Sequence, residues 1–241
     1  MNIAIVGYGS MGKEVEAQIL KRGHTVAWIA DDAAALKNSL GTPADCAIEF
    51  TAPHQTVTNI ELLAENCFNV VVGTTGWYEE LTTVRAIVNR TGVGVLYSPN
   101  LSIGVHLFWD IIAHAAKLIN PVDNYDVFGH EYHHAKKADA PSGTALETAK
   151  IILRNFPRKQ RIVTTLSESP IKPEELQFSS TRGGNVPGTH SVYFDSAADT
   201  IEITHTARNR AGFTAGAVTA AEWLRGRKGI FTMADLLSDL S

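Results

Sequence analysis

The run E-Y-H-H-A-K-K-A-D-A-P-S-G-T-A, residues 131 to 145, crowds imidazole, ammonium and helix-start N–H groups into one short stretch. His133 and His134 carry side chains with an ordinary pKa of about 6.5, so they can give or take a proton near neutral pH. Lys136 and Lys137 add positive charge. A helix beginning around Ser142, with Pro141 at its entry, leaves the N–H groups of Ser142, Gly143 and Thr144 pointing outward. Such a cup suits a small anion. It holds a second anionic group if the run S-T-R-G-G-N-V-P-G-T-H, residues 180 to 190, folds over it and brings Arg182, Gly183, Gly184 or His190 near. In an extended chain His133 and His134 point to opposite sides, so at most one faces the ligand directly and the two do not share a metal; no metal is expected. A histidine on its own is most often a structural hydrogen-bonder, but the lysines and the helix start beside these two shift the reading towards catalysis.

A second set of residues lies at the N-terminus. Gly7, Tyr8, Gly9, Ser10, Met11 and Gly12 form a G-x-G-x-x-G between a strand and a helix. In that setting Gly7 makes the tight turn, Gly9 lets the backbone approach a pyrophosphate, and Gly12 permits close helix-to-strand packing. The helix N-terminus adds unpaired N–H groups and partial positive charge. Taken alone the pattern could be a bare turn; the acidic residue about 20 positions on favours a dinucleotide. That residue is Asp31 or Asp32. A carboxylate there accepts ribose hydroxyls and repels the extra phosphate of NADP, and no lysine or arginine stands beside it. Asp32 reads as the cap of the next helix, which leaves Asp31 for the ribose. NADH is favoured, with NADPH as the alternative. The loops G-T-T-G-W, with Gly73, Thr74 and Thr75, and S-P-N-L-S-I-G-V, with Ser98, Asn100 and Leu101, follow two further strands at the end where open α/β sheets bind ligands. Each by itself could be an ordinary turn; together they read as a cofactor and hinge region.

The elements that must position these residues show in the hydrophobic pattern. Ile3–Val6, Thr25–Ala30, Cys46–Thr51, Asn69–Gly73 and Val93–Ser98 read as strands, and Met11–Lys21, Gln55–Cys67 and Tyr78–Asn89 as helices. Near-continuous apolar runs such as N-V-V-V-G imply a parallel sheet covered on both faces, a Rossmann-like doubly wound α/β domain. After a helical window through Val105, Phe108, Ile111, Ile112 and Ala115, period-2 alternation in N-Y-D-V-F-G-H-E, R-I-V-T-T-L, L-Q-F-S-S-T-R, T-H-S-V-Y-F-D-S and T-I-E-I-T-H-T-A predicts an α+β region with a mixed sheet and one clear helix, Gly143–Asn155. From Gly212 on, helical spacing returns, including F-T-M-A-D-L-L, and these helices are expected to dock on the first domain. S-E-S-P-I-K-P-E-E-L, from 167, is the most linker-like stretch.

Composition narrows the function classes. The 241 residues are 44% hydrophobic, enough for a substantial core, and the net charge of -4 comes from interspersed charges rather than blocks, so nucleic acid is not an expected partner. Cys46 and Cys67 fit no zinc or redox spacing and read as buried, inert thiols. The chain opens directly on a strand and has no long apolar run, so a soluble, cytoplasmic protein is expected, with no membrane partner.

The ordered set G-Y-G-S-M-G, G-T-T-G-W, S-P-N-L-S-I-G-V, E-Y-H-H-A-K-K-A-D-A-P-S-G-T-A, T-R-G-G-N-V-P-G-T-H and I-E-I-T-H-T-A-R-N-R-A-G-F-T-A-G-A spans nearly the whole chain. It resembles the dihydrodipicolinate reductases, also called 4-hydroxy-tetrahydrodipicolinate reductases, of bacterial lysine and diaminopimelate synthesis. The resemblance implies His133 as proton donor, His134 as its neighbour in the substrate pocket, and Lys137 as a lysine that assists protonation and binds carboxylate. It implies Ser142, Gly143 and Thr144 as carboxylate binders. It also implies a dinucleotide-binding domain, residues 1–102 with 211–241, hinged to a substrate-binding and tetramerisation domain, 103–210, in a homotetramer. The chemistry implied is hydride delivery from nicotinamide to an unsaturated cyclic dicarboxylate, protonation of the resulting enamine, and loss of water. Two other readings stand beside it: another nicotinamide-dependent reductase or dehydrogenase of a small amino or imino dicarboxylate, and a dinucleotide-sensing regulator, which would need neither the acid nor the anion cup.

Overall fold

In the computed structural model, which describes residues 1–165 and 168–240, the N-terminal apolar runs form a parallel sheet. Its strands are β1 (Asn2–Val6), β2 (Thr25–Ala30), β3 (Cys46–Glu49), β4 (Asn69–Val72), β5 (Gly94–Tyr97) and β11 (Gly229–Phe231). Their spatial order is β11-β5-β4-β3-β1-β2. Residues of one strand alternate between the two faces, and both faces are covered. Ala4, Val6, Val70 and Val72 pack under α2 (Ala33–Ser39), α3 (Pro53–Glu65) and α4 (Leu81–Thr91). Ile3, Ile5, Ile48 and Val71 pack under α1 (Ser10–Lys21), α7 (Ala211–Trp223) and α8 (Met233–Ser238). Each such fully buried valine or isoleucine side chain contributes about 1.5–3 kcal/mol, which is why apolar runs with no polar alternation settle here. The C-terminal helices thus pack in the same unit as the N-terminal strands, which comprises Met1–Ile103 and Ala211–Ser241.

The second unit, Gly104–Arg210, holds a sheet in the order β10-β9-β6-β8-β7. These strands are β6 (Asp126–His133), β7 (Arg161–Val163), β8 (Glu175–Arg182), β9 (Thr189–Asp195) and β10 (Thr200–Thr206). The sheet is mixed: β6 runs parallel to β8 and antiparallel to β9. Helices α5 (Ile103–Ile119) and α6 (Gly143–Asn155) supply Phe108, Trp109, Ile112, Ala149 and Ile152 to a core with Val127, Phe178, Val192 and Phe194 of the strands. The opposite face carries Phe128 stacked on Tyr193, ring centroids 5.0 Å apart, with Phe128 and Tyr132 each 38% exposed.

Several boundaries differ from the sequence reading. Helix α3 starts at Pro53 and stops at Glu65, and Cys67 adopts a positive φ of 63° in the turn beyond it, where it is exposed; only Cys46 is a buried thiol. Phe231 belongs to β11, pairing with Leu96, because the capping box of Thr232 and Asp235 starts α8 at Met233, two residues after it. Helix α6, by contrast, spans Gly143–Asn155 as its spacing predicts: Ser142 is the N-cap, accepting the Ala145 N–H at 3.2 Å, and Pro141 stands just before it. Leu166, in the strand-like R-I-V-T-T-L, and Ser167, in the linker-like run, lie outside the described residues.

Candidate active site

The order β2-β1-β3 reverses the winding of the first sheet at β1, the place where open α/β sheets collect ligands at their carboxyl ends. A pocket of about 140 Å³ opens there, lined by Val6, Ala30, Asp31, Asp32, Thr51 and Asn59 among others, with no lysine or arginine in the lining. The glycine loop leads into α1. Gly7 has φ +90° and a Cβ there would stand 2.1 Å from the Phe50 carbonyl oxygen, while a Cβ on Gly12 would meet the Gly7 oxygen at 2.2 Å. At Gly9, by contrast, nothing lies within 4 Å of that position. The turn is closed against the sheet and open where a phosphate would approach the backbone, with Ser10 exposed and Met11 half-buried at the start of α1. These residues fit a nicotinamide dinucleotide.

Of the two aspartates, Asp32 is the helix cap its position predicts. Asp32 caps α2 by accepting the Ala35 N–H at 2.7 Å, whereas Asp31 accepts the Tyr8 N–H of the glycine loop at 2.6 Å and is exposed. The later loops are more structural than their sequences indicate. Thr74 is buried and its Oγ1 accepts the Thr51 N–H at 2.9 Å, while its carbonyl accepts Trp77 Nε1–H at 2.8 Å. Thr75 is exposed, and Gly73 backs directly onto the Phe50 ring. Ser98 and Asn100 are buried in a self-bonded turn, with Ser98 Oγ–H to Asn100 O at 2.5 Å and Ser102 N–H to Asn100 Oδ1 at 2.8 Å. The Leu101 side chain is 2% exposed and part of the hydrophobic core, so it does not present itself to a cofactor. Thr51 also donates through its N–H and hydroxyl to Glu49, a fully buried carboxyl whose pKa burial pushes up.

In the second unit the chemistry centres on a residue the sequence reading passed over. Strand alternation puts Val127, Gly129, Glu131 and His133 on the buried face of β6. Register then places Glu131 opposite Ser180 of β8 and His190 of β9, and His133 opposite Arg182. Glu131 is fully buried. Its Oε1 accepts from Ser142 N–H at 2.9 Å, Ser180 Oγ–H at 2.9 Å and Arg182 Nη2–H at 2.7 Å. Its Oε2 accepts from Ser142 Oγ–H and stands 3.2 Å from His190 Nε2 and 3.4 Å from His133 Nε2. Burial alone would raise this carboxyl's pKa, but His190, Ser142 and Arg182 together hold it well below the usual carboxylate range.

His133 is 7% exposed, and neither of its ring nitrogens has a hydrogen-bond partner among the described residues, the 3.4 Å contact being a charge contact without hydrogen-bond alignment. Burial drives its pKa down to about 4; Glu131 pulls it up, and His190, Lys137 and Arg182 push it further down. The glycine-rich run packs against this segment. Gly183 N–H donates to His133 O at 2.9 Å, His134 N–H to Val186 O at 2.8 Å and Ala135 N–H to Gly184 O at 3.2 Å. A Cβ on Gly188, whose φ is +153°, would meet His133 Cε1 at 2.6 Å.

The remaining predicted residues separate into two groups. His134 is half-buried, Lys136 and Gly143 are exposed, and Lys137 pairs with Asp139 at 2.7 Å. Ser142 does not aim its N–H outward, because backbone N–H and hydroxyl both donate to Glu131, which leaves Gly143 and Thr144 as the outward positions of that turn. Arg182 likewise is engaged, with Glu131 and with Asp139 O at 2.5 Å. Donor atoms of Glu131, His133 and His190 lie within 4.8 Å of one another. The guanidinium already neutralising that carboxylate opposes a divalent cation there.

A sequence profile described as dihydrodipicolinate reductase, N-terminus, matches residues 1–101, and one described as dihydrodipicolinate reductase, C-terminus, matches residues 104–237. The 4-hydroxy-tetrahydrodipicolinate reductase of Christiangramia forsetii is 39% identical over 241 residues, covering 100% of this chain and 99% of that protein. The protein of the same name from Methanosarcina acetivorans is 35% identical over 239 residues, covering 98% of this chain and 88% of that protein. Among solved structures, the dipicolinate-bound dihydrodipicolinate reductase from Paenisporosarcina sp. TG-14 has the same fold, with a TM-score of 0.75 at 23% identity over 96% of this chain and 97% of that one.

Proposed function

Because the chain belongs to the dihydrodipicolinate reductase family, whose chemistry is nicotinamide-dependent oxidoreduction, we propose that it reduces 4-hydroxy-tetrahydrodipicolinate to tetrahydrodipicolinate with loss of water, in the diaminopimelate route to lysine. The observation that carries this reading is His133: a buried imidazole with both nitrogens unpaired is costly unless a ligand completes it. Lys137, Gly143 and Thr144 bind the substrate carboxylates, with His134 at the rim of the same cup. His133 delivers the proton that the reduced ring requires. Ser142 acts from behind, by fixing Glu131 and capping α6.

When bound, the reduced nicotinamide supplies the hydride. The chain's part is to seat the dinucleotide: Gly7 to Gly12 present backbone N–H groups to the pyrophosphate, and Asp31 accepts the ribose hydroxyls. Gly73, Thr74, Thr75, Ser98 and Asn100 shape the loops beside it and contribute backbone groups. Two aspartates and no lysine or arginine line the pocket, so a ribose phosphate is repelled and NADH is preferred over NADPH. The two free thiols suit a reducing cytoplasm, and no helix among the described residues is long and apolar enough to cross a membrane. The aromatic sheet face of Phe128, Tyr132 and Tyr193 is where four copies associate; sedimentation equilibrium should return four times the chain mass.

The deciding experiment is turnover of NADH with freshly generated hydroxy-tetrahydrodipicolinate. His133→Gln should lower kcat by at least about 100-fold with NADH affinity intact. Wild-type turnover in that variant removes His133 from the mechanism, and no turnover by the unmodified protein removes the substrate.

A further inference from the structure

Three donors saturate Glu131 Oε1, which anchors the carboxylate. Oε2 is the oxygen turned to the imidazoles: His190 Nε2 lies at 3.2 Å and His133 Nε2 at 3.4 Å, with the two rings edge to face, centroids 5.1 Å apart. We propose that Glu131 is a positioning residue for the reduction, its Oε2 holding the His133 imidazolium by charge while His190 competes for the same oxygen. The inference rests on the reductase reading of this site and gives a role to two residues which that reading leaves without one.

A buried carboxylate near the end of a central strand is expensive and would be replaced by an apolar side chain if only the core mattered. Here it is retained where cross-strand register brings both imidazoles to it. The charged and titratable groups facing His133 are Glu131 on its own strand, His190 on β9, Arg182 on β8, and Lys137 in the loop before α6. Lys137 is in turn paired with Asp139, and His205 on β10 faces His190. Glu131 favours a protonated His133, whereas His190, Lys137 and Arg182 oppose it. Proton donation by His133 therefore depends on Glu131, and His190 works against it.

Two variants separate this from a merely structural role, because they must move the same observable in opposite directions. The activity requires protonated His133, so kcat falls on the alkaline side. In Glu131→Gln that limb should move to lower pH by about one unit or more, with a matching loss of about tenfold or more above it. In His190→Gln it should move to higher pH. Coenzyme affinity should hold in both. Histidine ¹⁵N titration of the complex with NADH and dipicolinate, with the His133 signal assigned through His133→Gln, reads the same shifts without turnover. A limb left in place in Glu131→Gln, with kcat lowered equally at all pH, overturns the proposal. If that variant does not fold, His190→Gln decides alone, and an unmoved or acid-shifted limb overturns it. Failure of the unmodified protein to turn over would instead strike the reductase reading, while the titration of His133 would still judge its coupling to Glu131 and His190.

Discussion

With a pKa of about 4, His133 is almost entirely neutral at neutral pH, with about one molecule in a thousand protonated at pH 7. Neutral imidazole is a poor acid, so the donor must acquire its proton when substrate binds. Bringing its pKa to about 7 requires about 4 kcal/mol in favour of the imidazolium. A carboxylate about 6 Å away supplies about 3 kcal/mol at an effective dielectric of about 20, so the two carboxylates of the substrate supply about 6 kcal/mol, more than enough even after partial neutralisation by Lys137. Binding of a dicarboxylate should therefore take up a proton. The assay is calorimetric titration of dipicolinate into the protein saturated with NADH, at neutral pH, in buffers of different ionisation enthalpy. Uptake should lie between about half and one proton per site, and should fall to near zero in His133→Gln. Tight binding with no uptake by the unmodified protein, or the same uptake in the variant, refutes the account of His133 as a substrate-charged acid.

Asp31→Asn keeps an acceptor for the Tyr8 N–H and removes the charge, so the ratio of kcat/KM for NADH over NADPH should fall by about tenfold; an unchanged ratio places the ribose contact elsewhere. Ser142→Ala loses both the α6 cap and a hydroxyl donor to Glu131 and should destabilise the chain by about 2–4 kcal/mol in urea unfolding; a loss of a few tenths would mean that Glu131 is held without it. Stability should also fall with acid in two stages. Between the unfolded pKa of about 6.5 and the folded value of about 4, the unfolded chain binds the His133 proton and the folded one does not, so stability drops by up to about 3 kcal/mol as pH decreases through that window. His205, lowered by burial and by His190, adds the same sign. Glu131, held below the usual carboxylate range, contributes stability that is present above about pH 4.3 and lost as pH falls further. Urea midpoints across both windows test this, and a slope unchanged in His133→Gln would show that its folded pKa is not depressed.

The parallel sheet was readable because burial on both faces leaves its mark on every residue of a strand: N-V-V-V and M-N-I-A-I-V have no polar alternation to misread. The glycine loop was readable for a local reason too, since what Gly7, Gly9 and Gly12 do depends on the strand before them and the helix after. Local competition explains the misplaced boundaries: the Thr232 cap drew α8 two residues later than hydrophobic spacing alone indicated, and Cys67 fell beyond the end of α3.

Side-chain chemistry in the second unit was a different matter. The sequence by itself determined that histidines, lysines and a helix start lie together, because they are neighbours in the chain. Only the tertiary structure decided which of them face the ligand. Ser142 turned inward, and Leu101 went into the core. Glu131 became the hub, since its partners Ser180, Arg182 and His190 arrive from strands β8 and β9 through pairing register. The shift in His133 is likewise set by burial and by charges brought in across the sheet. Electrostatic energy depends on distance in space and on exclusion of water, and neither quantity is a function of separation along the chain.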